Sequence, residues 1–339
     1  MQRLAGIPLI LAAVLAGAAS LLAALPAWAA CDGRDLIAAM PPAERRALEA
    51  KANAAPFAKG NLWLATRGRL RVTLVGTYHL DDSRFGATMA SLAPALQAAH
   101  TLLVEAGPDD IAALKAEVQA DPDLIVAPDG ASLYADLAPA TWNQLAKQLQ
   151  DRGLPGPVAA RLRPWYVMVL LSMATCEDAG SPEGGLDMRL MAAARDRALP
   201  VHGLEPADTI FTLFNAISRA DQLALLTSAL ANASSAEDGM TTLTAAYFRG
   251  ESRLMWEFTG WETAQLPGIT PAEAQRQQDL MEKLVITARN RAWVPVIEKA
   301  AQEGPVLAAF GALHLPGTGG VLNLLVQDGW TVEPLPTGP

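Results

Sequence analysis

The chain has 339 residues and a formal charge of −9, from 35 acidic against 26 basic side chains with no basic block, which excludes nucleic acid and anionic membrane surfaces as natural partners. Hydrophobic residues make up 51% of it, ample for a sizeable core, and two cysteines exclude a cysteine-rich metal or disulfide scaffold.

Arg3 is the only charge before Cys31, and the Ala/Leu-rich stretch Leu4 to Leu25 ends in Pro26-Ala27-Trp28-Ala29-Ala30. That small-x-small pattern marks residues 1–29 as a cleaved secretory signal, after which the charge becomes −10. Two alternatives stay open: an uncleaved membrane anchor, since the apolar run approaches the roughly 20 residues that span a bilayer, and a lipid anchor on Cys31. The longest later apolar run, Trp165 to Ala174, is about half a bilayer span, so no stable membrane span follows signal cleavage. The expected location is therefore periplasmic or secreted, with the membrane-anchored form as the alternative. In an oxidising compartment, Cys31 and Cys176 are expected to form a disulfide.

Residues 30–339 are expected to form one α/β domain. Pro41-Pro42-Ala43-Glu44 opens a short helix to about Ala54. Strands Leu62–Thr66 and Leu70–Val75 flank Arg67-Gly68-Arg69, the pattern of a hairpin, and the second runs into Gly76-Thr77-Tyr78-His79. A helix over Ser83–Ala99 then leads to a buried strand, Thr101 to Val104, ending at Glu105. The same order returns near the end: strand Val306–Phe310, corner Gly311-Ala312-Leu313-His314, helix Val321–Val326, strand Trp330–Glu333. These two strand, Gly-x-x-His, helix, strand units, about 60–106 and 304–336, are expected to share a central sheet as a weak duplication. A mainly helical insertion, about 107–303, separates them, with helices expected over Pro108–Ala120, Thr141–Arg152, Pro164–Thr175, Leu186–Arg197, Asp221–Ala231 and Pro271–Ala301. Leu199 to Glu205 reads there as a strand ending in a second carboxylate.

Ligands of α/β sheets bind beyond the carboxyl ends of the strands. In each corner the glycine is expected to let the backbone turn sharply, so that the histidine three residues on points across the sheet edge. Side-by-side pairing of the units brings His79 and His314 together, and Glu105 closes the set from a strand expected beside the first corner. Two imidazoles and one carboxylate with open positions form a ligand set for a divalent ion, which activates water and polarises a carbonyl. Glu105 is also a candidate catalytic carboxylate. Glu205 reads either as a catalytic base or ligand or as the cap of the helix that follows it. Arg163, Asp187 and Arg289 are candidate rim or supporting residues, with helix caps and salt bridges as the alternative, and His100 and His202 read as structural. Neither Gly-x-Ser-x-Gly nor a phosphate-binding glycine loop nor His-Glu-x-x-His is present.

Leu74-Val75-Gly76-Thr77-Tyr78-His79-Leu80, Leu103-Val104-Glu105, Gly185-Leu186-Asp187, Val201-His202-Gly203-Leu204-Glu205, Arg289-Asn290-Arg291-Ala292-Trp293 and Gly311-Ala312-Leu313-His314-Leu315-Pro316-Gly317, taken in order, resemble the TraB/GumN family, its bacterial GumN-type branch in particular. The family includes the Tiki proteins, metal-dependent proteases in which two Gly-x-x-His motifs and a glutamate are taken as the metal and catalytic residues. The resemblance implies His79, His314 and Glu105 in those roles. Its wider fold resembles erythromycin esterase-like enzymes. The leading expectation is a metal-dependent hydrolase of peptide or other amide or ester bonds. The alternatives are a non-catalytic periplasmic binding or accessory protein in envelope polysaccharide handling, and a metal-independent esterase with a histidine base.

Overall fold

A computed structural model describes residues 33–128, 130–172 and 184–336. The signal segment and both members of the expected Cys31–Cys176 bridge lie outside the described residues. Among the described residues no helix is long and apolar enough to cross a membrane.

The six-stranded sheet has the order β4-β3-β5-β2-β1-β6, with β1 at Leu62–Arg67, β2 at Leu70–Thr77, β3 at Thr101–Val104, β4 at Val201–Gly203, β5 at Val306–Gly311 and β6 at Thr331–Pro334. β4, β3, β5 and β2 are mutually parallel, while β1 pairs antiparallel with β2 and β6. The first hairpin closes through Gly68 at φ +62°, a left-handed conformation that glycine adopts freely.

Helices cover both faces, which is why Val306 to Phe310 reads as an unbroken apolar run rather than an alternating one. Val75, Leu102, Val104, Leu307 and Ala309 face α2 (Phe85–Ala98), α6 (Leu186–Arg195), α9 (Ala236–Phe248) and α10 (Ser252–Ala264), with α1 (Pro42–Asn53) outside them. Val72, Leu74, Leu103, Ala308 and Phe310 face α12 (Arg289–Glu303) and α13 (Val321–Gln327). Among the other helices, α3 (Pro108–Ala120), α4 (Pro139–Gln150), α5 (Pro164–Ser172), α7 (Thr209–Asn215), α8 (Arg219–Asn232) and α11 (Pro271–Met281) contribute to two further apolar clusters inside the insertion.

The α/β class and the helical insertion are as the sequence reads. The two repeated units do meet, because β2 and β5 are neighbours in parallel register with Gly76 opposite Phe310 and Thr77 opposite Gly311. One expectation changes: β3 pairs with β5 rather than β2, so Glu105 lies beside the second corner, not the first. The crossover helices α2 and α13 pack on opposite faces, and β6 reaches the far edge beside β1. The duplication is therefore one of chain order, not of position in the sheet. The expected helix Pro271–Ala301 is also interrupted, since Glu282–Ala288 forms a wide π turn between α11 and α12. Such turns recur at functional sites because one extra residue re-aims the side chains that follow.

Candidate active site beyond the parallel strands

Four adjacent parallel strands each deliver one polar residue past their carboxyl ends: Glu205 after β4, Glu105 after β3, His314 after β5 and His79 after β2. The corner glycines are needed for close approach. Neither has positive φ; Gly311 sits at φ −48°, ψ 132°, which any residue adopts. A Cβ on Gly76 would lie 2.6 Å from Leu315 Cδ1 and 3.0 Å from Ala312 Cα, so the second corner packs directly on the first. A Cβ on Gly311 would lie 3.2 Å from both Glu105 Oε1 and His79 Nε2. Each glycine thus keeps a space for its partner unit, which replaces the expected role in a sharp turn.

Arg289 occupies the centre. Its side chain is 7% exposed and all five N–H groups find acceptors. Nε donates to Glu205 at 3.0 Å, Nη2 to Glu205 Oε1 and Glu105 Oε2 at 2.6 Å each, and Nη1 to His314 Nε2 at 3.3 Å and Val285 O at 3.4 Å. The guanidinium also lies 4.7 Å from the Trp293 ring centre. The π turn sets this aim, since Val285 belongs to it and Arg289 follows it.

His314 is 3% exposed, and its ring packs 4.4 Å from that of Trp293. Burial, together with the positive charges of Arg289 and His79, outweighs the pull of Glu105 and brings its pKa down to about 3. The neutral ring therefore donates from Nδ1 to Asn290 Oδ1 at 2.6 Å and accepts at Nε2 from Arg289. Asn290, fully buried, also donates to His314 O and Gly319 O at 3.1 and 2.8 Å, clamping the corner to α12. Glu105 accepts from the Gly311 N–H at 2.7 Å. Burial raises its pKa, but the charge that His314 gains in acid, the charges of Arg289 and His79, and that N–H outweigh it and hold the carboxyl at about 2.

His79 is the open member, with a side chain 62% exposed. Nδ1 donates to Asp187 Oδ2 at 2.8 Å, and Asp187 also accepts from the Thr77 hydroxyl. Asp187 reaches the corner because Leu186 N–H bonds Tyr78 O at 3.0 Å and Gly185 has no Cβ, which would lie 2.4 Å from His79 O. Desolvation lowers the pKa of His79, but the Asp187 hydrogen bond and the charges of Asp187 and Glu105 raise it to about 9.

Residues 61–334 match the TraB/PrgY/gumN family. The chain belongs to that family. No curated protein matches the sequence. Within this TraB/PrgY/gumN chain the structure brings together Glu105, Glu205, His79, His314, Asp187 and Arg289, six of the seven site residues nominated from sequence. Arg163 stands apart, its Nε bonding Asp123 O at 2.8 Å in the helical insertion. Glu205 does not act as the cap of the helix after it: it receives Arg289 and the Trp293 indole N–H at 2.8 Å. Asn290, Trp293 and Thr77 were not nominated. For the first two the signal was spacing, since Arg289, Asn290 and Trp293 stand at i, i+1 and i+4 of one helix.

The expected metal set of His79, His314 and Glu105 does not converge on one point. His314 Nε2 and Glu105 Oε2 face the guanidinium, whereas His79 Nε2 and Glu105 Oε1 face the space over Gly311. Among the described residues no three His, Cys, Asp or Glu side chains stand together as a metal-binding group. A divalent ion therefore does not fit these residues as they are placed.

Proposed function

We propose that this TraB/PrgY/gumN protein is an exported hydrolase of peptide or other amide or ester bonds that activates water with the His79–Asp187 pair. The observation that carries the reading is the space over Gly311, which a carboxylate oxygen of Glu105 and the free Nε2 of an imidazole oriented by Asp187 both face, each 3.2 Å from where a Cβ on that glycine would stand. A general base needs its accepting atom within hydrogen-bond reach of water and its other nitrogen held by an acceptor.

Glu105, ionised throughout the ordinary pH range, accepts one hydrogen of the water at Oε1 and orients it. Neutral His79 takes the other proton at Nε2 as the water oxygen attacks the carbonyl carbon, and Asp187 stabilises the imidazolium so formed. The imidazolium returns that proton to the leaving nitrogen or oxygen, releasing an acid and an amine or alcohol. Arg289 has no N–H left for substrate; it holds Glu105, Glu205 and His314 in place.

The test is hydrolysis of a peptide and ester library by the purified protein as a function of pH. The reading expects kcat/KM to rise about tenfold per pH unit toward a limb near pH 9, the pKa of His79, and to fall with His79→Ala. Turnover lost on chelation and regained with a divalent ion refutes the metal-free step. Intact ligand binding without turnover points instead to an accessory binding protein.

A further inference from the structure

We propose that Arg289 is the resident cation of this site, its guanidinium filling the position that a divalent ion would take between Glu105, Glu205 and His314. Two carboxylates and the lone pair of a buried neutral imidazole converge on it, the donor types of a divalent-ion site, which the guanidinium holds apart so that they do not stand together as a metal-binding group. Each of the three donors is oriented by a second partner that does not depend on Arg289. Asn290 fixes the His314 tautomer with Nε2 as acceptor, the Trp293 indole N–H bonds Glu205 Oε2, and the Gly311 N–H bonds Glu105 Oε1. Outer hydrogen bonds of this kind orient metal ligands and raise their affinity for the ion.

A guanidinium suits the place because it presents five donors in a fixed fork, stacks on the Trp293 ring and cannot be deprotonated there. Burial works against its charge, but the bonds and charges of Glu205 and Glu105 outweigh that and raise its pKa further. A metal ion and this side chain therefore exclude each other. Removing the guanidinium leaves two carboxylates and one imidazole around a buried hole, with only the charge of His79, beside Glu105, to balance them.

The experiment titrates Co2+ into the wild type and Arg289→Ala, reading calorimetry and the visible absorption of bound cobalt rather than turnover, so its outcome is separate from that of the hydrolase reading. The expected result is one Co2+ per chain in Arg289→Ala, bound at least about 100-fold tighter than by the wild type, since a unit charge a few ångströms away has been removed. That binding is lost again in the double variants carrying Glu205→Gln or His314→Ala, and methylguanidinium competes with the ion. Arg289→Lys, which keeps the charge, takes up no cobalt. If Arg289→Ala folds only when Co2+ or methylguanidinium is added, the proposal stands; if neither restores folding, it fails. It is equally overturned by a folded Arg289→Ala that binds no cobalt, or by a wild type whose bound cobalt disappears in His314→Ala.

Discussion

The two corner glycines occupy equivalent places in the sequence motif, yet alanine at each has a different consequence. At Gly76 the added methyl would lie 2.6 Å from Leu315 Cδ1 and 3.0 Å from Ala312 Cα and Cβ. Leu315 is fully buried and Ala312 is 4% exposed, so neither gives way without moving the second corner. Overpacking of this kind costs about 1–3 kcal/mol. At Gly311 the backbone already suits alanine, and restricting the unfolded chain returns about 0.4–1 kcal/mol. The contacts to Glu105 Oε1 and His79 Nε2 at 3.2 Å call for shifts of a few tenths of an ångström. Gly311→Ala is therefore expected to unfold within about 1 kcal/mol of the wild type, while its methyl enters the space that Glu105 and His79 face, crowds out the reacting water and lowers kcat/KM by at least about 100-fold. Urea titrations followed by circular dichroism, beside initial rates, separate the two glycines. Near-wild-type turnover by Gly311→Ala, or equal stability of the two variants, refutes the placement of the water over Gly311.

His79 should titrate near pH 9 in a nuclear magnetic resonance experiment, and Asp187→Asn should bring it down toward the ordinary 6.5; a pKa unmoved by that change refutes the pairing. Because its folded pKa is raised, the stability this pair contributes is fully present below about pH 6.5 and fades as the pH rises through about 9. The acid side behaves oppositely. His314 at about 3 and Glu105 at about 2 both lie below their unfolded values, so stability falls as the pH drops from 6.5 toward 3 and from 4.5 toward 2. His314→Gln should remove the first of these losses, read as a flatter midpoint between pH 6.5 and 4 in denaturant titrations. Asn290→Ala removes one acceptor and two donated bonds in a fully buried place, and is expected to cost about 2–4 kcal/mol, with His314 losing its fixed tautomer. A loss below about 1 kcal/mol contradicts the clamp.

Much of the fold was legible because apolar runs report how many faces of an element are covered. Val306 to Phe310 is buried on both sides and reads as a strand of a parallel sheet. Pro108–Ala120 forms the helix expected there, to the residue. By contrast, α9 and α10 left no such trace. α9 buries Thr242, Ala246 and Tyr247, and α10 buries Ser252 and Glu257 beside its apolar residues, so neither carries a clean apolar stripe. The π turn was equally silent, because a change of one residue in hydrogen-bond spacing leaves the side-chain pattern of a long helix almost intact.

The sequence by itself determined which residues end the strands, since a glycine corner or a carboxylate after an apolar run is a local pattern, and it placed both histidines and both glutamates in the site. Only the tertiary structure decided what they face. Strand order put Glu105 beside β5 instead of β2, and the π turn drove Arg289 between the carboxylates and His314. One imidazole was thereby buried and held neutral while the other was left open beside Asp187. Two identical motifs carry the same chemistry in isolation; the charges around each, contributed from residues more than a hundred positions away for His79 and by α12 for His314, made them different.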